Sequence, residues 1–321
     1  MKKRRRNWQT VAWWVLSAFI VSSMLVSMVL MVRPAPPPKP TPTVPLATET
    51  AGPGGGPAPE RSTEGTATPT PAPSAIAPAA GEDDEFTFAV CGDSRDGDAV
   101  FRQIVRQVSE ERPAFLIHTG DLVSHGGEAE YEAFQGLLAG LAVPFYPVPG
   151  NHDASGGGLA AYLEYSGAPA AHYAFDYGQA HFAFVDSHGG SLSAEETAWL
   201  DSDLAATEQP LKIVVLHHPP FDPNGSTHIM QSGNEAFMQL VQSRGVRYVF
   251  AGHIHAFAEG ERGGVRYVIT GGAGAPLYET EARGGFFHYL RVTVRGAELE
   301  YETVRVEPAL SLLGEAFASV G

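Results

Sequence analysis

Hydrophobic and polar positions divide the chain into unlike stretches. Residues 11–32 run for 22 positions without a charge, broken only by serines. As a helix that run measures about 33 Å, enough for a bilayer core of about 30 Å, so it predicts one transmembrane helix. Residues 34–85 show no apolar periodicity. From residue 86 onward the pattern changes. Residues 86–90, 114–118, 145–148, 213–216, 248–251 and 265–270 are short apolar runs that read as strands. Val100, Ile104, Val105 and Val108 recur at helical spacing and predict a helix over residues 98–111; a second is predicted over residues 128–141. Residues 173–177 and 181–186 flank Gly178 as a hairpin, and Ser193 with Glu196 forms a capping box opening a helix toward Ala206. Residues 286–294 and 299–306 alternate as an antiparallel pair. Strands alternating with helices, then a β-rich end, predict an α/β domain with layered sheets.

Charge sharpens the N-terminal picture. Residues 1–33 carry six positive charges and no acid, so the net −15 of the chain leaves −21 for the rest. Five basic residues precede the apolar run, and Trp8, Trp13 and Trp14 sit where an interfacial aromatic belt would lie. The positive-inside rule then places the N-terminus in the cytoplasm and everything after residue 33 outside. A cleaved signal peptide shares the basic start. Its apolar core is usually only about 7–15 residues, however, and no small-x-small site follows before the prolines. Residues 34–81 hold 14 of the 25 prolines, mixed with Thr, Ala and Gly, a composition too poor in apolar surface to order itself. The expected organisation is a basic tip and signal anchor over residues 1–33 and a disordered linker over 34–85. A globular domain over 86–308 and a tail over 309–321 complete it. A body this acidic repels nucleic-acid backbones, so a nucleic-acid binder is not expected. Cys91 is the only cysteine, which rules out an internal disulfide.

The chemistry sits where strands stop. Successive apolar runs end in Gly92-Asp93-Ser94-Arg95, Gly120-Asp121, Gly150-Asn151-His152-Asp153, His217-His218-Pro219 and Gly252-His253-Ile254-His255. In α/β sheets the carboxyl ends of the strands are where ligands bind. Carboxylates, an amide oxygen and imidazoles, with no thiolate, suit Mn, Fe, Zn or Ni. Two divalent ions against Asp93 and Asp121 leave about +2 at that point, which would attract a phosphate ester. Any one of these histidines alone reads better as a core residue; five motifs in register favour metal. Asp93, Asp96 and Asp98 lack the remainder of a calcium-loop pattern. His218 reads as a supporting or core residue, and His118 as structural. His125 reads either way. His172, His181, His188 and His228 read as loop or surface residues. Phe257 and Tyr278 read as core aromatics, with a place in the substrate pocket as the alternative.

In their order and spacing, these motifs resemble the calcineurin-like metallophosphoesterase family over roughly residues 86–275. The branch nearest in character is that of the purple acid phosphatases and cyclic-nucleotide phosphodiesterases. The resemblance implies a four-layer α-β-β-α sandwich and a two-metal site bridged by Asp121. Asn151, His217 and His253 would serve one ion, and Asp93 and His255 the other. His152 would lie beside the scissile phosphate and protonate the leaving group, with Asp153 or another carboxylate orienting it, while a metal-bridged hydroxide attacks. One departure stands out. The family's first motif is usually Asp-x-His, but here it is Asp93-Ser94-Arg95, and arginine is not a metal ligand. Purple acid phosphatases also lack that histidine and use a tyrosine three residues after the bridging aspartate; here that position is Ser124. Asp96, His125 or water would fill the gap, or the ion would bind weakly, and Arg95 would clamp a phosphate oxygen. The expected function is that of a membrane-anchored extracytoplasmic phosphoesterase acting on small phosphomonoesters or phosphodiesters. The alternative is a weakened pseudoenzyme or surface binding module on the same fold. Oligomeric state is not legible.

Overall fold

The computed structural model describes residues 85–156 and 158–307. The predicted transmembrane helix, the C-terminal tail and the linker lie outside the described residues, except that Glu85, expected in the linker, is the first residue of a strand. No helix among the described residues is long and apolar enough to cross a membrane.

In chain order the elements are β1 (Glu85–Cys91), α1 (Asp98–Glu111), β2 (Leu116–His118), α2 (Glu128–Leu138), β3 (Phe145–Pro147), α3 (Ala160–Tyr165), β4 (Tyr173–Tyr177), β5 (Ala180–Phe184), α4 (Ala194–Ala206), β6 (Leu211–Val215), α5 (Asn234–Ser243), β7 (Val246–Ala251), β8 (Phe257–Arg262), β9 (Val265–Thr270), β10 (His288–Arg295) and β11 (Glu298–Arg305). They build two mixed sheets, ordered β11-β10-β1-β2-β3 and β4-β5-β6-β7-β9-β8. Within them β1, β2 and β3 are mutually parallel, as are β5, β6, β7 and β9.

The period-two alternation of β1 shows how the layers arise. Phe88 and Val90 point into a core shared with Phe115, Ile117, Phe182, Ile213 and Phe250, drawn from both sheets. Ala89 and Cys91 point the other way, against Val100, Phe101 and Ile104 of α1 and Tyr131 and Phe134 of α2. The second sheet repeats the scheme. Val214 and Val249 turn outward onto Leu200 and Leu204 of α4 and Phe237, Met238 and Val241 of α5. Two sheets thus face each other with helices on both outer sides. Aromatic edges lock them: Phe182 of the second sheet meets Phe88 at 5.3 Å and Phe115 at 5.4 Å, both perpendicular.

The predicted elements recur with shifts of a few residues. The structure adds α3, α5 and the edge strand β8. The β4–β5 hairpin turns at Gly178, whose φ of 55° is the left-handed value such two-residue turns require. Ser193 caps α4 by accepting the Glu196 N–H at 3.0 Å. The return bond of a full capping box is missing, because the Glu196 carboxylate accepts from the Asp186 N–H instead.

Candidate metal centre

The loops after β1, β2, β3, β6 and β7 meet at one end of the facing sheets. Four of the five described non-glycine residues with positive φ lie there: Asp93 (61°), Asp96 (62°), Asp121 (58°) and His253 (67°). Such conformations cost on the order of 1–3 kcal/mol each and persist only where surroundings enforce them. Here the surroundings are backbone bonds between loops. Asp93 N–H donates to the Gly120 carbonyl (3.0 Å), and the Asp93 carboxylate accepts the His253 N–H (2.9 Å). Close approach also demands glycine. A Cβ on Gly150 would stand 2.2 Å from Asp121 Oδ1, and one on Gly120, itself at φ 96°, 2.7 Å from His217 Nδ1.

Two groups of ligand-type side chains result: Asp93, Asp121 and His255, and His217, His218 and His253, with donor atoms in each group within 4.8 Å of one another. Asp121 stands at their junction. Its Oδ1 lies 3.4 Å from His217 Nε2, while His217 Nε2 lies 3.1 Å from Asn151 Oδ1 and 3.2 Å from His253 Nδ1. The six residues expected to hold ions are therefore neighbours.

Hydrogen bonding fixes the tautomers. His217 donates Nδ1–H to the Thr119 carbonyl (2.8 Å), so in the neutral ring Nε2 offers a bare lone pair to the Asp121 carboxylate. His255 repeats this, donating Nδ1–H to the Pro276 carbonyl (2.6 Å) and turning Nε2 toward Asp93 Oδ1 at 3.5 Å. Burial keeps the imidazoles neutral, pushing His253 down to about 2 and His255 down to about 4, with His217 also well below its ordinary value. Burial, with Asp121 beside it, raises Asp93 well above the carboxylate range. The Nδ1 of His218 is buried with no hydrogen-bond partner. Imidazole lone pairs facing carboxylate oxygens, with an orphaned imidazole nitrogen beside them, fit divalent cations.

The other expected residues separate. His152 is one-third exposed, and its Nε2 lies 4.0 Å from Asp121 Oδ2. Its orienting partner is the Ser124 carbonyl at 2.8 Å from Nδ1, not Asp153 as expected. Asp153 is fully buried and accepts the N–H groups of Asp121, Leu122, Val123 and Gly150 at 2.8–3.2 Å. It clamps the Asp121 loop to the Gly150 loop; four backbone donors were a closer claim on it than one imidazole. Neither expected substitute for the missing histidine joins a ligand group. Asp96 binds Arg95 and the Ser124 hydroxyl, and the exposed His125 pairs with Glu130. Arg95 itself turns inward, with Nε 3.4 Å from Asp121 Oδ2.

Sequence reasoning undervalued three residues. His218 shares a group with His217 and His253, a proximity foreshadowed only by its adjacency to His217. Tyr278 is 52% exposed and stacks on His255 at 4.0 Å and 19°. His181, expected at the surface, is buried between Asp176 and Asp203. His118 is buried and structural as expected, donating to Ser94 Oγ at 3.1 Å and accepting the Gly120 N–H.

Fold and site together define a class, the metal-dependent phosphoric ester hydrolases. The chain belongs to the calcineurin-like phosphoesterase family, whose model matches residues 86–257. Among curated relatives, it is 29% identical over 198 residues to a 3',5'-cyclic-nucleotide phosphodiesterase of Nostoc sp., covering 58% of this chain and 72% of that one. It is likewise 29% identical over 163 residues to a glycerophosphodiester phosphodiesterase of Enterobacter lignolyticus, covering 45% of this chain and 57% of that one. The chain thus spans little more than half the length of the second relative. A purple acid phosphatase from yellow lupin seeds shares the fold, with TM-score 0.59 at 18% identity over 68% of this chain and 51% of that one. Members of the family use two divalent ions, which the two groups here are built to receive.

Proposed function

We propose that this chain hydrolyses small phosphodiesters or phosphomonoesters on the outer side of a membrane to which its N-terminal helix anchors it. The observation that carries the reaction is Asp121 at the junction of two convergent, neutral-imidazole and carboxylate groups. Divalent ions bound there would supply Lewis-acid charge and lower the pKa of water. Asn151, His217 and His253 would hold one ion, Asp93 and His255 the other, with Asp121 shared. His218 stands close enough to add to the first set.

The chain's own groups do the rest. The Ser124 carbonyl accepts Nδ1–H of His152, which leaves Nε2 as the atom that delivers a proton to the leaving oxygen when the ring is an imidazolium. Arg95 presents a fixed positive charge to a phosphoryl oxygen. Asp153 positions Asp121 and touches no substrate. The phosphodiesterase names of both curated relatives favour diesters.

The location is supported by sequence: 22 uncharged residues behind five basic ones. Protease treatment of intact cells is expected to remove residues 86–308 and leave a membrane-embedded stub. One observation favours a second reading, a binding module that has lost turnover: an arginine where a ligand would stand.

Turnover decides between them. The chain from Gly81 onward is expected to hydrolyse bis-p-nitrophenyl phosphate or p-nitrophenyl phosphate only with added Mn, Fe, Zn or Ni, and Asp121→Ala to abolish it. A folded protein inert with every metal would transfer the case to the binding module. His152→Ala is expected to cost about 10²–10⁴-fold on an ester with an alkoxide leaving group. On a nitrophenyl ester, whose leaving group needs no proton, the loss should be far smaller. Equal losses on both would remove the proton-donor role.

A further inference from the structure

Arg95 is built into the site rather than left in solvent. Its side chain is 11% exposed, with Nε 3.4 Å from Asp121 Oδ2, Nη1 2.8 Å from Asp96 Oδ2 and Nη2 3.4 Å from the Tyr278 hydroxyl. Each neighbour is itself fixed. Asp96 accepts from the Ser124 hydroxyl at 2.5 Å, and Tyr278 lies flat on the His255 ring. A guanidinium has five N–H groups, so these three contacts leave two for a ligand.

This placement changes the charge balance. Asp93 and Asp121 contribute two negative charges and Arg95 one positive. One divalent ion brings the sum to +1 and a second to +3. With a neutral imidazole in place of Arg95, two ions would leave +2. Asp96, ion-paired to Arg95 at 2.8 Å, lowers the two-ion sums by one each, to +2 with Arg95 and +1 with an imidazole, and Asp153 enters both counts alike. Buried charge without a counter-charge is costly, so the last ion to enter bears the penalty. Nε of Arg95 also competes for Asp121 Oδ2, an oxygen on the carboxylate the second ion would share. A phosphate ester brings negative charge and relieves both effects.

Resting on the hydrolase reading, we propose that the two ion positions are unequal. The position at Asn151, His217 and His253 fills tightly in the resting protein. The position at Asp93 and His255 fills together with the phosphoester, and Arg95 binds the phosphoryl oxygen that a permanent second ion would otherwise hold. Selection for an anionic ester then includes assembly of the site itself.

Metal counting tests this without turnover. Full-length protein in detergent, stripped of metal, is titrated with Mn²⁺ by calorimetry, and bound metal is counted after equilibrium dialysis with and without inorganic phosphate. The wild type is expected to take one Mn²⁺ tightly and a second at least about tenfold more weakly. Saturating phosphate should tighten the second at least about tenfold, and Mn²⁺ should tighten phosphate reciprocally. Arg95→His should equalise the two ions without phosphate. Two equal ions in the phosphate-free wild type, or no effect of phosphate on the second, would overturn the proposal and leave the hydrolase reading standing. Absence of tight Mn²⁺ binding, or binding indifferent to Asp121→Ala, would sink both. The wild-type measurement stands alone if the variant does not fold.

Discussion

Asp153 shows how a single side chain can serve catalysis without touching substrate. Burial and the neighbouring Asp121 push it up to about 8, while four backbone N–H groups pull toward the carboxylate. Those donors lie on the loops after the paired strands β2 and β3, which the His152 N–H to Asp121 Oδ1 bond (3.0 Å) also joins. Asp153→Ala would strand all four in a site closed to solvent, an unsatisfied set expected to cost about 3–5 kcal/mol. Urea denaturation of the metal-stripped protein measures this. A loss below about 1 kcal/mol would mean the loops are held elsewhere. Asp153→Asn keeps one acceptor oxygen but turns an N–H₂ toward the other donors, so it should recover only part of the stability.

Among the secondary-structure elements, β4, β5 and α4 are tied together by a buried histidine. Both ring nitrogens of His181 on β5 meet carboxylates: Nδ1 meets Asp176 of β4 at 2.7 Å and Nε2 meets Asp203 of α4 at 2.8 Å. Burial lowers its pKa and the two carboxylates raise it, with the net effect upward from 6.5. A histidine raised on folding stabilises fully below its unfolded value and loses that contribution as pH rises through the folded value. The melting-temperature gap between wild type and His181→Gln should therefore be widest below pH 6.5 and narrow above it. It should amount to a few degrees, because Asp176 is half exposed and screened. A gap constant from pH 5 to 9 would make His181 a packing residue only.

These elements also show what the sequence makes legible. Buried strands announce themselves by apolar runs, and polar motifs directly after them locate the site. The edge strand β8 was invisible because AEGER is polar and carries a glycine, as edges tolerate. Helix α5 starts at a glycine with no side-chain cap, and α3 has only six residues. Contacts between distant loops are illegible in the same way. That Tyr278 would reach His255, or that Asp153 would serve backbone rather than His152, depends on sheet packing that no local pattern encodes.

At the scale of the whole molecule, folding drives together groups that repel or strain one another. Five loops from two sheets bring two buried carboxylates and several neutral imidazoles into contact, and three of the residues adopt left-handed backbone. The unfolded chain has none of this constellation, so cations that fit it bind the native state alone and stabilise it by mass action. At a hundredfold excess over the dissociation constant the gain is about 2.7 kcal/mol. In a domain of this size that corresponds to about 5–10 °C. Chelation should lower the calorimetric melting temperature by that amount, and Mn²⁺ or Zn²⁺ should restore it, while Mg²⁺ should restore less because imidazole ligands suit it poorly. Asp121→Ala should melt at one temperature with or without metal. If the wild type did the same, the convergent side chains would be holding the loops through protons rather than ions, and the hydrolase reading would lose its physical basis.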